Sequence, residues 1–104
     1  MPKVKITVTK KLTTKDVYGD KFPTELAGDF APDCPRHNEG EEFLVQEDGA
    51  CPPGFCGWAY ADIQRDITHL GLGGSYPWCQ EKNVGISCCT DGLRPVFFKL
   101  ETMD

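Results

Sequence analysis

The sequence predicts an α+β fold: a single small domain over residues 1–104, with a mainly antiparallel sheet of about four strands and one principal helix packed on it. Three observations predict it. The first positions alternate apolar and polar residues, the signature of a strand with one face buried. Apolar residues recur at helical spacing between Gly57 and Leu70. Short β-rich stretches stand on both sides of that helix, and the order strand, strand, helix, strand, strand suits an antiparallel sheet covered on one face. A chain of 104 residues has room for one core.

The first strand covers residues 3–9, with Val4, Ile6 and Val8 on one face and Lys3, Lys5, Thr7 and Thr9 on the other. From Thr13 to Asn38 the chain is broken by Gly19, Pro23, Gly28, Pro32 and Pro35, which predicts a long loop wrapped on the domain. A second strand lies within Glu42–Glu47, around Phe43, Leu44 and Val45. Ala50–Gly57 is a turn, punctuated by Pro52, Pro53 and Gly54. The helix follows, from Gly57 to Leu70, stopped by Gly71, Gly73 and Gly74. Its core arc is Ala59, Ile63, Ile67 and Leu70; beside it Trp58, Asp62, Arg65 and His69 form a solvated border or, alternatively, a binding face. Val84–Cys89 and Val96–Leu100 are the last two strands, joined through Thr90-Asp91-Gly92, with Pro95 confined to a strand start or edge.

The 11 basic residues against 16 acidic ones give a net charge of −5, which argues against nucleic acid as a partner. Six of the basic residues fall in the first 21 positions. Lys3, Lys5, Lys10 and Lys11 are expected to protect an exposed edge strand. The alternative is a homo-oligomer, a dimer by default, in which Lys3 and Lys5 reach Glu39, Glu41 and Glu42 of a second copy and Trp78 adds apolar contact. The longest aliphatic or aromatic runs, Phe43-Leu44-Val45 and Val96-Phe97-Phe98, are too short for a membrane span or a signal-peptide core, so a cytoplasmic location with reduced thiols is expected.

The six cysteines, Cys34, Cys51, Cys56, Cys79, Cys88 and Cys89, contain no C-x-x-C pair, so a metal site must be assembled from distant segments. Cys56 begins the helix where a Ser, Thr, Asp or Asn cap is expected, and the helix dipole favours negative charge there. Cys88 and Cys89 point to opposite faces of a regular strand, so both reach one centre only if the backbone bends. Cys34 lies in a polar loop. Together Cys34, Cys56, Cys88 and Cys89 supply four thiolates, a number suited to an iron–sulfur cluster or, alternatively, Zn. The leading expectation is therefore a metal-binding protein used for electron transfer with a redox partner protein or as an accessory to a larger redox enzyme. His37 and His69 are further candidate ligands but are expected to be ordinary surface or border residues, and only His37 or another chain could supply a base to Cys56. Cys56 and His69, about 20 Å apart along one helix, cannot form a dyad. Two other functions stay open: an interaction module presenting Trp58, Asp62, Arg65 and Trp78, and a thiol enzyme using Cys56 or Cys89 with Asp91 and Arg94 handling substrate charge.

The strings Gly54-Phe55-Cys56, Trp58-Ala59, Ala61-Asp62-Ile63, Gly73-Gly74, Pro77-Trp78, Cys88-Cys89-Thr90-Asp91-Gly92, Arg94-Pro95-Val96 and Phe98-Lys99-Leu100-Glu101 carry a resemblance. The chain resembles a family of small cysteine-containing prokaryotic proteins, frequent in anaerobes and known as an uncharacterised repeat protein family. The resemblance spans nearly the whole chain, including Cys34-Pro35 and Gly40-Glu41-Glu42-Phe43. It implies recurring thiols at Cys34, Cys56, Cys88 and Cys89, leaves Cys51 outside the pattern, sets Cys79 where a Met is usual, and implies no particular reaction.

Overall fold

Val4, Ile6 and Val8 are completely buried and alternate with partly exposed Lys5 and Thr7, so burial of one face drives the first strand. In the computed structural model, which describes residues 1–103, this strand is β1 (Lys3–Lys11). It is followed by α1 (Thr14–Tyr18), a 3₁₀ turn (Gly19–Lys21), β2 (Glu42–Val45), α2 (Gly57–Gly71), β3 (Val84–Cys88) and β4 (Val96–Met103). The four strands form one antiparallel sheet in the order β2-β1-β4-β3. The fold class and the four predicted strands with their principal helix agree with the sequence.

The core lies between the inner sheet face and α2. Val4, Ile6, Val8, Val45, Val96, Phe98 and Leu100 meet Ala59, Tyr60, Ile63, Ile67 and Leu70. Each large side chain buried there contributes about 1.5–3 kcal/mol. Further along α2, Asp66 accepts hydrogen bonds from Tyr76 and, at 2.7 Å, from Ser87 of β3. Burial, with the Asp66 bond second, pushes the Tyr76 hydroxyl up to about 12.

Two expectations need correction. β1 is not an edge strand: it pairs with β2 on one side and β4 on the other. Its lysines instead meet carboxylates of the same chain: Lys5 stands 3.8 Å from Glu42 and 3.6 Å from Glu101, and Lys11 stands 3.0 Å from Asp33. Alternation reveals which face of a strand is exposed and carries no information on its place in the sheet.

The region 13–38, expected to be loop throughout, begins with α1. A capping box nucleates this helix: Thr13 Oγ1 accepts from Asp16 N at 3.0 Å, and Asp16 Oδ2 accepts from Thr13 N at 2.9 Å. At the far end of α1, Tyr18 Oη donates to Gly92 O at 2.8 Å and so ties the long loop to the β3–β4 connection. Among the described residues no helix is long and apolar enough to cross a membrane.

Candidate functional site

The start of α2, the loop at 34–37 and the β3–β4 connection enclose a cavity of about 640 Å³ floored by Val96 and Phe98. Cys34, Arg36, His37, Cys56, Trp58, Cys89, Asp91 and Arg94 all line it. Three of the four predicted ligand cysteines therefore share one cavity.

Cys56 is the N-cap of α2, and its side chain makes no capping hydrogen bond. No acidic residue stands in the first turn either. The chain closes this helix end through space: the Cys56 N–H donates to His37 Nε2 at 3.1 Å. Because Nε2 accepts, the ring proton is on Nδ1, which donates to Glu41 Oε1 at 3.1 Å. The ring is only 2 % exposed and packs on Phe55 (centroids 4.9 Å apart) and Phe43 (5.2 Å). His37 is therefore a buried positioning group, which corrects the expectation of a surface or border histidine. Its Nε2 is taken by a backbone N–H, so it does not serve Cys56 as a base. The Glu41 carboxyl is held below its ordinary value, first by the Asn38 backbone N–H and further by His37.

Two arginines contribute to the cavity lining. Arg36 is anchored by an Nη2 bond to Phe55 O at 3.3 Å. Arg94 stacks on Phe30, its Cζ 4.3 Å from the ring centroid. Its Nε lies 3.5 Å from Asp91 Oδ2, an ion-pair contact without hydrogen-bond geometry, so this buried N–H has no partner within the chain. Burial pushes the Asp91 carboxyl up, but the backbone N–H groups of Leu93 and Arg94, with the Arg94 charge, outweigh it and hold the group below its ordinary value. Asp62 of α2 accepts from Thr90 N at 2.8 Å and Thr90 Oγ1 at 2.9 Å, fastening this wall of the cavity to the helix.

Cys89 is buried at the cavity floor, where its Sγ accepts from Val96 N at 3.3 Å. Cys34 is half-buried in the wall. Cys88 is elsewhere. β3 remains regular through Cys88, which pairs with Phe97, so alternation carries this exposed thiol to the other face of the sheet. The bends at residues 92–94 come too late to join the two sulfurs. Burial, then the neighbouring Cys89 and the Asp62 and Asp66 charges, raise the Cys88 thiol above its ordinary value. Among the described residues no group of three or more His, Cys, Asp or Glu side chains is placed to hold a metal ion. The arrangement of Cys34, Cys56, Cys88 and Cys89 thus does not fit an iron–sulfur cluster or a four-thiolate zinc site.

Trp58 lies at the cavity rim and is 76 % exposed. Trp78 stacks on Tyr76, which packs on His69 at the far end of α2. The cavity unites Cys56, Cys89, Asp91 and Arg94, which the sequence had grouped, with Arg36, which it had not, and with His37, which it had offered only as a further ligand or a base. The missing cap at Cys56 was the only sequence signal for His37: a helix start without its own cap needs an acceptor from elsewhere. No family model, curated protein or solved structure matches the chain.

Proposed function

We propose that the cavity binds a small organic anion and presents it to the Cys56 thiol, the group available for chemistry on the bound molecule. The observation that carries this reading is the placement of Cys56, at the N-terminus of a 15-residue helix where its own side chain makes no capping bond, in one cavity with Arg36 and Arg94. Helix N–H groups and guanidinium groups both favour negative charge, and Arg36 and Arg94 both belong to the cavity lining. Val96, Phe98 and Ala59 supply apolar surface for the rest of the ligand. Cys34 and Cys89 line the same space, but Cys89 already accepts a backbone hydrogen bond, which leaves Cys56 the thiol nearest the anion-favouring helix end.

Competitive alkylation tests it. Iodoacetate is an anion and iodoacetamide is its neutral counterpart, so a cationic cavity changes their relative rates. At Cys56 the rate ratio of iodoacetate to iodoacetamide is expected to exceed that at Cys88 by on the order of tenfold, the exposed Cys88 serving as internal reference. Arg94→Met removes most of that excess. Equal ratios at Cys56 and Cys88, or a Cys56 that neither reagent reaches, reject the reading.

A further inference from the structure

Cys51 lies outside the cavity, yet the chain brings it back to Cys56. Pro52-Pro53-Gly54-Phe55 is a closed β-turn: Phe55 N donates to Pro52 O at 3.1 Å, and Gly54 has φ +82°, the conformation a type II turn needs at its third residue. The residues that flank a closed turn are neighbours, and here both are cysteines. The exposed Cys51 thiol leans across the turn, its Sγ 3.8 Å from Phe55 O, the carbonyl joined to the Cys56 nitrogen. Burial and the proximity of Cys56 both raise the Cys51 thiol. Two prolines stiffen the turn, and the His37 bond holds the backbone nitrogen of Cys56, so the two cysteines are kept at the two ends of one short, rigid turn.

We infer that Cys51 and Cys56 form a dithiol redox site, Cys56 attacking and Cys51 resolving, whose substrates are small anionic disulfides. The choice of Cys56 as attacker rests on the anion-binding reading of the cavity. In the first step the Cys56 thiolate attacks one sulfur of the substrate. The Cys56–sulfur bond forms, the substrate disulfide breaks, and one half leaves as a thiolate that takes up the proton Cys56 had lost. Cys51 then gives up its proton and attacks Cys56 Sγ. The Cys51–Cys56 bond forms and the second half leaves, accepting that proton. One substrate disulfide is reduced to two thiols while two protein thiols become one disulfide. Cys88 and Cys89 cannot compete, since adjacent residues on opposite sheet faces form only a strained ring.

The test treats the fully reduced 104-residue chain with oxidised glutathione, a polycarboxylate disulfide, followed by acid quenching, alkylation in denaturant and peptide mass analysis. The expected product is a peptide containing Cys51 and Cys56 that is two hydrogens lighter and unalkylated at both, with Cys88 alkylated. Cys51→Ser is expected to stop at a glutathione adduct on Cys56. Full alkylation of both residues in the wild type, or a Cys51→Ser variant without the Cys56 adduct, overturns the inference. A parallel arm uses the neutral disulfide of mercaptoethanol, expected to react slower by on the order of tenfold. If both disulfides close the Cys51–Cys56 bond at equal rates, the dithiol stands and the anion reading falls. If iodoacetate selects Cys56 but oxidised glutathione closes no bond, the anion reading stands and the dithiol falls.

Discussion

Each end of α2 is met by a histidine, and the two are used in opposite ways. At the N-terminal end His37 comes from a distant loop, is buried, and accepts the Cys56 N–H through Nε2. At the C-terminal end His69 belongs to the helix itself, is exposed, and donates through Nε2 to Ser75 O at 2.9 Å. Acceptance requires a neutral nitrogen, whereas donation is compatible with either protonation state. The same side chain is thus part of the cavity wall at one end and a surface tether at the other.

The largest expected effect comes from that contrast. His37→Ala leaves the Cys56 N–H without its acceptor and opens a void beside Phe43, Phe55 and Phe98, at an expected cost of about 3–5 kcal/mol in urea unfolding. His37→Gln, which retains an acceptor, is expected to recover part of it. Next comes Asp91, whose carboxyl is held below 3.8 in the folded chain. A depressed carboxyl stabilises the fold above its unfolded value, and that contribution is lost as pH falls through the folded value. As pH falls below about 4 the wild type should therefore lose more stability than Asp91→Asn does, which acid-dependent thermal melts would show. The smallest effect is His69→Ala, which costs about 1 kcal/mol because it removes an exposed hydrogen bond and a surface contact with the Tyr76 ring. Equal losses for His37→Ala and His69→Ala would abolish the comparison.

These contrasts also mark what could be read from the sequence. The inner face of β1 and the core arc of α2 were legible because burial writes itself as a period of two or of 3.6. Strand order was not, because Lys5 looks the same on an inner strand as on an edge. α1 was hidden by the glycines and prolines around it, although Thr13 and Asp16 carry a capping signature. Alternation already separated Cys88 from Cys89, and the structure upholds the rule rather than the bend that was needed to evade it. Cys56, Asp91 and Arg94 were legible as chemistry. Arg36 and the positioning role of His37 were not, since their bonds to Phe55 and Cys56 each bridge 19 residues and leave no local pattern.

The fastening of the cavity walls has a thermodynamic consequence. The His37–Cys56 bond ties one wall to α2, the Asp62–Thr90 pair ties the other, and the Tyr18–Gly92 bond braces that second wall from outside. An incoming molecule meets loops that have already surrendered their conformational freedom. Association then forfeits little chain entropy, a cost of about 1–2 kcal/mol per residue when a loop must be ordered on binding. Encounter with the ligand is expected to show one exponential phase whose rate rises linearly with ligand concentration, without the plateau that a slow closing step imposes.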